Sequence, residues 1–337
     1  MVKKALPTVK PRLLAFGHEP SSASTRTIPM RTLAGAALAV LARPPRAAAV
    51  FAFILALGSG VSPHATAAER YEQGLLWRIE DAGAPPSHIF GTIHLADPRV
   101  TALPPAVARE LDQARSLTLE AGIDPAGVLA LAGRMVFDDG RDLPAVAGTE
   151  LFERAAKLAT GLGLPEPLLR QFRPWAVAVL LSVPQQDPMN VLDVVLERRA
   201  AEQGKPIHEL ESLNEQLAVL EGLSQEEQVA LLRQAVDEYE RMPRQIARLV
   251  DAYLARDLGS LWRVSQERAG TGEEEQRLNE VFTRRLLHDR NARMAERAEP
   301  RLREGGAFIA VGALHLYGRG GVLSLLESRG WRVTRVY

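Results

Sequence analysis

Between Leu75 and Glu80 the chain alternates, with Leu75, Trp77 and Ile79 set against Leu76, Arg78 and Glu80, which is the period of a half-buried strand. The turn-rich stretch Asp81-Ala82-Gly83-Ala84-Pro85-Pro86 follows, and the apolar run Ser87 to Ile93 predicts a second strand in a hairpin with the first. Beyond Asp97-Pro98, the positions Leu103, Val107, Leu111 and Ala114 recur at helical spacing, and Ser116 to Glu120 is again short, apolar and alternating. Strand, helix and strand in this order form a βαβ unit whose strands run parallel with a right-handed crossover. That topology puts His94 and Glu120 at the same carboxyl edge of a sheet.

The middle of the chain is helical by pattern from Pro125 to Val183, with breaks at Asp138-Asp139-Gly140, Gly161-Leu162-Gly163, Pro165 and Pro167. Ala176 to Val183 is apolar throughout and too short for a bilayer, so it predicts a buried helix. Asn190 is placed to cap a helix running to about Gln203, and Pro206 to Leu210 predicts a short strand with Glu211 just past its end. Residues 212–304 form several amphipathic helices, the last from about Glu273 past Leu278, Phe282 and Leu286 to Arg290-Asn291. It leads into the apolar run Ala307 to Leu314, a helix over 321–329 and a closing strand over 331–337. The predicted class is therefore α+β (mixed α/β): a central mixed sheet built from both ends, 74–121 and 305–337, with a large helical cap over 124–304. No solenoid period is present.

One local pattern occurs twice, as Phe90-Gly91-Thr92-Ile93-His94-Leu95 and as Val311-Gly312-Ala313-Leu314-His315-Leu316. Each is a buried strand delivering a histidine, with a glycine three residues before it, and a glycine inside a strand marks close backbone approach. Gly91 and Gly312 accordingly serve as clearance rather than as binding groups. At the carboxyl end of parallel strands a histidine is a metal ligand or a general base, or else a core histidine bonded to a backbone carbonyl. If the two segments are neighbours in one sheet, the two imidazoles converge on one site.

Composition removes several alternatives. The 337 residues carry 41 Lys plus Arg against 41 Asp plus Glu, so there is no basic field for nucleic acid. There is no cysteine, which excludes thiol catalysis, thiolate ligands and disulfides. Residues 1–68 read as a targeting segment. Basic residues Lys3 to Arg43 lead into the apolar run Ala47 to Leu57, and the small residues Ala65-Thr66-Ala67-Ala68 match a cleavage site near Ala67 or Ala68. The expected product is an exported, periplasmic protein without a stable membrane span, the alternative being an uncleaved anchor in the inner membrane. The long basic lead makes Met30 an alternative start to Met1.

Other chemistry-bearing residues sit at element ends. Glu120 faces away from Leu119 at the end of its strand, and Glu211 is either a site carboxylate or a first-turn acid favoured by the helix dipole. His208-Glu209 lacks the second histidine of a zincin helix, since position 212 is serine. His208 and His288 read as bystanders, His88 as part of the hairpin, and Gly318 to Gly321 as a plain turn. With no nucleophile elbow and no thiol, water is the natural attacking group.

The two G-x-x-H segments, together with Leu117-Thr118-Leu119-Glu120, Pro174-Trp175, Lys205-Pro206, Leu210-Glu211 and Arg290-Asn291 in that order, resemble the TraB/GumN family, which includes the Tiki-type metalloproteases. The resemblance spans roughly residues 70–337. It implies a metal-dependent hydrolase, a peptidase, acting on a peptide or protein. His94 and His315 would hold a divalent ion with Glu120 and Glu211, Glu120 would also take the proton from water, and Arg290 would hold an anionic intermediate or fix a carboxylate beside Asn291. Manganese or cobalt is what the Tiki branch implies; imidazoles and carboxylates by themselves suit zinc equally. The rival expectations are a non-catalytic envelope protein binding a peptide or haem, and a scaffold in which the histidines only pack the sheet.

Overall fold

A computed structural model of the chain describes residues 70–81, 83–122, 131–267 and 272–337. The targeting segment 1–68 and the expected helix start at Pro125 lie outside the described residues. Six strands form one mixed sheet: β1 (Leu76–Glu80), β2 (Ser87–Thr92), β3 (Ser116–Leu119), β4 (Ile207–Glu209), β5 (Ala307–Gly312) and β6 (Arg332–Arg335), in the spatial order β4-β3-β5-β2-β1-β6. β1 pairs antiparallel with β2 and β6, while β2, β5, β3 and β4 pair parallel in succession. The expected hairpin and the α+β class are both present. The βαβ unit is also parallel, but its two strands are not neighbours, because β5 from the far end of the chain lies between them.

The helices α1 (Pro105–Gln113), α2 (Thr149–Gly161), α3 (Pro174–Ser182), α4 (Leu192–Glu202), α5 (Leu213–Glu221), α6 (Gln225–Glu238), α7 (Met242–Leu254), α8 (Leu258–Gln266), α9 (Glu273–Thr283), α10 (Asp289–Glu304) and α11 (Val322–Ser328) surround the sheet or form the cap. Their starts follow local chemistry. Ser212 and Ser224 each close a capping box, with Glu215 and Glu227 answering from the third helical position. Asn190 does not cap α4. It lies in a short turn where its amide donates to Asp187 at 2.6 Å, and Val191 occupies the capping position with no side-chain bond.

Two hydrophobic cores result. One lies against the sheet and includes Phe90, Phe308, Leu287, Met294 and Leu323. The other lies inside the cap and includes Phe152, Phe172, Trp175, Leu232, Phe282 and Leu286. The π-helical turn Arg284–His288 joins α9 to α10, and in it Leu286 enters the cap core while its neighbour Leu287 enters the sheet core. A π-turn rotates the face a helix presents, and such turns recur at functional sites. Here it hands the helix from one core to the other just before Arg290.

Candidate functional site

Four parallel strands end at one edge, and each delivers a predicted residue there. His94 follows β2, Glu120 follows β3 and Glu211 follows β4. His315 ends a single 3-10 turn, Ala313–His315, that folds off the end of β5, so the apolar run through Leu314 is strand only as far as Gly312. Open sheets with parallel strands place their ligands at this edge. In the β2–β5 ladder Gly91 lies opposite Val311 and Thr92 opposite Gly312, so the two G-x-x-H copies are neighbours one residue out of step.

Gly91 is where the copies touch. A Cβ there would lie 3.1 Å from the Ala313 Cα and 2.9 Å from a Leu316 methyl, so any side chain would push the His315 turn off the sheet. Gly312 contributes through its backbone instead: its N–H donates to Glu120 Oε2 at 3.0 Å.

The orientation of His315 follows from a chain of hydrogen bonds. The amide nitrogen of Asn291 donates to the Gly320 carbonyl at 2.8 Å, which turns the amide oxygen of Asn291 toward His315 Nδ1. Nδ1 must therefore carry the proton, leaving the Nε2 lone pair free. Nε2 is buried and has no hydrogen-bond partner, and it faces Glu120 Oε2 at 3.7 Å. Burial holds this imidazole down to about 3; the Glu120 carboxylate works in the opposite sense, but the charges of Arg290 and His94 add to the depression. The ring is neutral near pH 7.

His94 is held differently. Its Nδ1 lies 2.6 Å from Asp193 Oδ2, and Thr92 Oγ1 donates to the other Asp193 oxygen at 2.9 Å. Burial disfavours the charged ring, but the Asp193 charge and hydrogen bond outweigh it and raise the His94 pKa. Gln186 grips the backbone of the same loop, donating to the His94 carbonyl at 3.0 Å and accepting from the Ala96 N–H at 2.9 Å. Behind the loop, the buried Tyr253 hydroxyl donates to the Gly91 carbonyl at 2.9 Å.

Two carboxylates and one guanidinium complete the floor. Arg290 is 2% exposed; one terminal nitrogen donates to Glu120 Oε1 and its Nε donates to Glu211 Oε2 at 2.8 Å. The other Glu211 oxygen accepts from Arg293 at 2.9 Å. Glu120 also accepts from Gln216 at 3.1 Å. Burial alone would raise Glu120, but Arg290, His315, His94 and the Gly312 N–H together hold it well below the ordinary carboxylate range. Arg290 thus bridges the two buried carboxylates.

The TraB/PrgY/gumN family profile matches residues 75–335. The chain belongs to the TraB/PrgY/gumN family. It is 24% identical over 253 residues to a protein of Shigella flexneri named uncharacterized protein YbaP, covering 72% of this chain and 88% of that one. The YbaP protein of Escherichia coli K12 is 24% identical over 252 residues, covering 71% and 87%. A Danio rerio protein named metalloprotease TIKI1 is 26% identical over 311 residues, covering 77% of this chain and 62% of that one. No solved structure matches.

The structure brings His94, His315, Glu120, Arg290, Asn291 and Glu211 to one edge of the sheet. Around them stand Asp193, Gln186, Gln216, Tyr253 and Arg293, none of which the sequence singled out. Of the other histidines, His88 faces Glu110 at 3.6 Å and His208 faces Arg301 at 3.3 Å, whereas the His288 ring packs on Gly320, beside the carbonyl that holds Asn291. In the Gly318–Gly321 turn, the Gly320 carbonyl accepts from Asn291, and a Cβ on Gly321 would lie 2.6 Å from two backbone oxygens. Among the described residues no group of three or more His, Asp or Glu side chains is arranged to hold a metal ion. No helix among them is long and apolar enough to cross a membrane.

Proposed function

We propose that this protein is an exported, metal-dependent hydrolase that cleaves peptide bonds. The observation that carries the proposal is the meeting of His315 Nε2 with Glu120 Oε2. Two acceptors face each other at 3.7 Å in a buried place, and neither has a proton to offer the other. A positive charge between them removes the conflict. A divalent cation can accept the Nε2 lone pair and a Glu120 oxygen lone pair at once, with the carboxylate offsetting part of its charge. A neutral imidazole locked through Nδ1 is also the form in which histidine binds metals.

The ion would sit between His315 and Glu120, which already face each other; His94, from the neighbouring strand, is not grouped with them as a ligand in the structure and would join them only as the ion draws its ring in. Glu211 has both oxygens on guanidinium groups, so its part is to hold Arg290 against Glu120 rather than to bind metal. When bound, a divalent ion lowers the pKa of water and polarises a carbonyl. The protein's own residues prepare the place. Asn291 fixes the His315 tautomer, Arg290 and Gln216 aim one Glu120 oxygen away, and the Gly312 N–H orients the other. Held so far below the usual range, Glu120 suits a ligand better than a base. Imidazole and carboxylate donors suit manganese, cobalt and zinc alike. Peptides as substrates, with a peptide or protein as the partner, are supported by the name of the Danio rerio relative alone. Export rests on the character of residues 1–68.

The test is elemental analysis and the absorption spectrum of the purified chain, with peptide cleavage measured beside it. The expected result is about one divalent ion per chain and no haem band. His94→Ala/His315→Ala should lose both ion and cleavage. A parent that takes up no divalent ion, or a double variant that cleaves at the parental rate, overturns the proposal.

A further inference from the structure

The helical insertion supplies something that the first G-x-x-H copy lacks. His315 receives its Nδ1 partner from α10, the helix that leads into its own strand. His94 has no such neighbour, and the side chains that fix its loop come from the segment leading into α4, which packs against the sheet. Gln186 holds the backbone on both sides of Leu95, through the His94 carbonyl at 3.0 Å and the Ala96 N–H at 2.9 Å. Asp193, in the first turn of α4, takes the ring nitrogen at 2.6 Å and the Thr92 hydroxyl at 2.9 Å.

We infer that Asp193 is the positioning residue for His94: it holds the ring with the proton on Nδ1, so that Nε2 is the nitrogen presented to the site. Three observations carry this. A carboxylate only accepts, so a neutral ring against Asp193 must place its proton on Nδ1. The second Asp193 oxygen is satisfied by Thr92, two residues before His94, so the carboxylate cannot turn away without breaking a second bond. The pair is largely shielded, with side-chain exposures of 13% for His94 and 18% for Asp193, so water competes weakly for either bond. A carboxylate behind a ligating imidazole also makes it a stronger donor than an amide does, and losing such a partner typically costs roughly 10–100-fold in metal affinity. His94, backed by Asp193, is therefore the stronger donor of the two histidines, and the site is complete only when the segment from Gln186 to Asp193 is docked on the sheet edge. The affinity part of this inference rests on the metal-dependent function proposed above; the tautomer part does not.

The test uses the full chain, stripped of metal and labelled with nitrogen-15 in its histidines, at alkaline pH where the ring is neutral. Long-range proton–nitrogen spectra distinguish a proton on Nδ1 from one on Nε2, with the His94 signals assigned by their loss in His94→Gln. The parent is expected to show the Nδ1–H form. Asp193→Ala should move toward the Nε2–H form and lose roughly 10–100-fold in zinc affinity by competition titration. Asp193→Asn, whose amide oxygen still accepts from Nδ1, should keep the tautomer and fall between the two in affinity. The inference is overturned by a parent with its proton on Nε2, or by an Asp193→Ala chain with parental tautomer and affinity. Should the alanine variant not fold, an Asp193→Asn chain with parental zinc affinity overturns it equally. A parent that shows the Nδ1–H form yet binds no zinc refutes the metal-dependent function and leaves the positioning role standing.

Discussion

The two G-x-x-H copies share a sequence pattern and lie side by side, yet their surroundings are opposite in kind. The second copy is built into the sheet half: His315 is fully buried, its ring partner is an amide on the adjoining helix, and its strand-end N–H is bound by Glu120. The first is held from outside by the insertion through Gln186, Asp193 and Tyr253, and its histidine keeps some exposure. A repeated motif thus fixes where a backbone goes, while the charge and proton on the delivered side chain are set by neighbours from elsewhere in the chain. Of the two histidines, one is kept neutral by burial and the other is drawn toward its charged form by a carboxylate.

The largest effect should come from removing the ion that supports the second copy. Arg290→Met keeps much of the volume but leaves Glu120 and Glu211 buried, with Glu211 retaining only the partly exposed Arg293. Breaking a buried pair from one side costs about 3–5 kcal/mol. Urea unfolding should show a loss of that size. A loss under about 1 kcal/mol, the value of an exposed pair, would mean that water reaches the carboxylates.

The opposite charging of the two rings predicts opposite responses to pH in the metal-free chain. His315 titrates at about 3 when folded against an ordinary 6.5 when unfolded, so below about 6.5 the unfolded chain takes a proton that the folded one refuses. Its contribution therefore falls as pH drops from 6.5 toward 3, with a slope approaching 1.4 kcal/mol per pH unit, about a few kcal/mol across the window. His94 has a raised folded pKa, so its contribution is fully present below the unfolded value and is lost as pH rises through the folded one. Stability measured against pH should lose its acid-side slope in His315→Gln and its alkaline-side loss in His94→Gln. If both variants change the same side, the contrast between the copies is wrong.

Much of this arrangement is legible in the sequence because it follows from period and order. Alternation gave β1 and β3, apolar runs gave β2 and β5, and the parallel strands of a βαβ unit placed His94 and Glu120 at one edge. Arg290 and Asn291 came from the family resemblance alone, on a helix rich in arginines; the structure buries them beside Met294 of α10 and Leu287 of the π-turn, where a charged residue needs a reason. Gln216 interrupts the stripe Leu213, Leu217, Leu220, and Tyr253 follows Leu249 and Val250, so both carried a usable signal. Asp193 carried none, because an acid in the first turn of a helix already has a local explanation in the helix dipole. Gln186 sits in a loop, where polarity is expected. The π-turn before Arg290 also escapes the pattern, since the helix remains apolar on one side through it while the side changes.

The contact between the copies gives the next largest effect. Gly91→Ala sets a methyl 2.9 Å from Leu316 and 3.1 Å from the Ala313 backbone. The backbone cannot move aside as a side chain can, so overpacking should cost about 1–3 kcal/mol. The His315 ring signals should shift as its turn lifts. Unchanged unfolding and spectra would show that the turn is loosely seated and that the glycine is not needed for clearance.

The smallest expected effect tests the insertion's hold on the first copy from behind. Tyr253→Phe removes only a hydroxyl that donates to the Gly91 carbonyl from within the core, and the ring itself still fills its place on α7. The cost should be about 0.5–1.5 kcal/mol, the net value of one hydrogen bond, by urea unfolding. His94 should keep its proton position, because Asp193 and Gln186 act on the loop directly whereas Tyr253 acts three residues earlier, at Gly91. A variant that changes the His94 tautomer, or that loses more than about 2 kcal/mol, would mean that the hydroxyl reaches the site through Asp193. The three insertion residues would then act as one network rather than as separate holds.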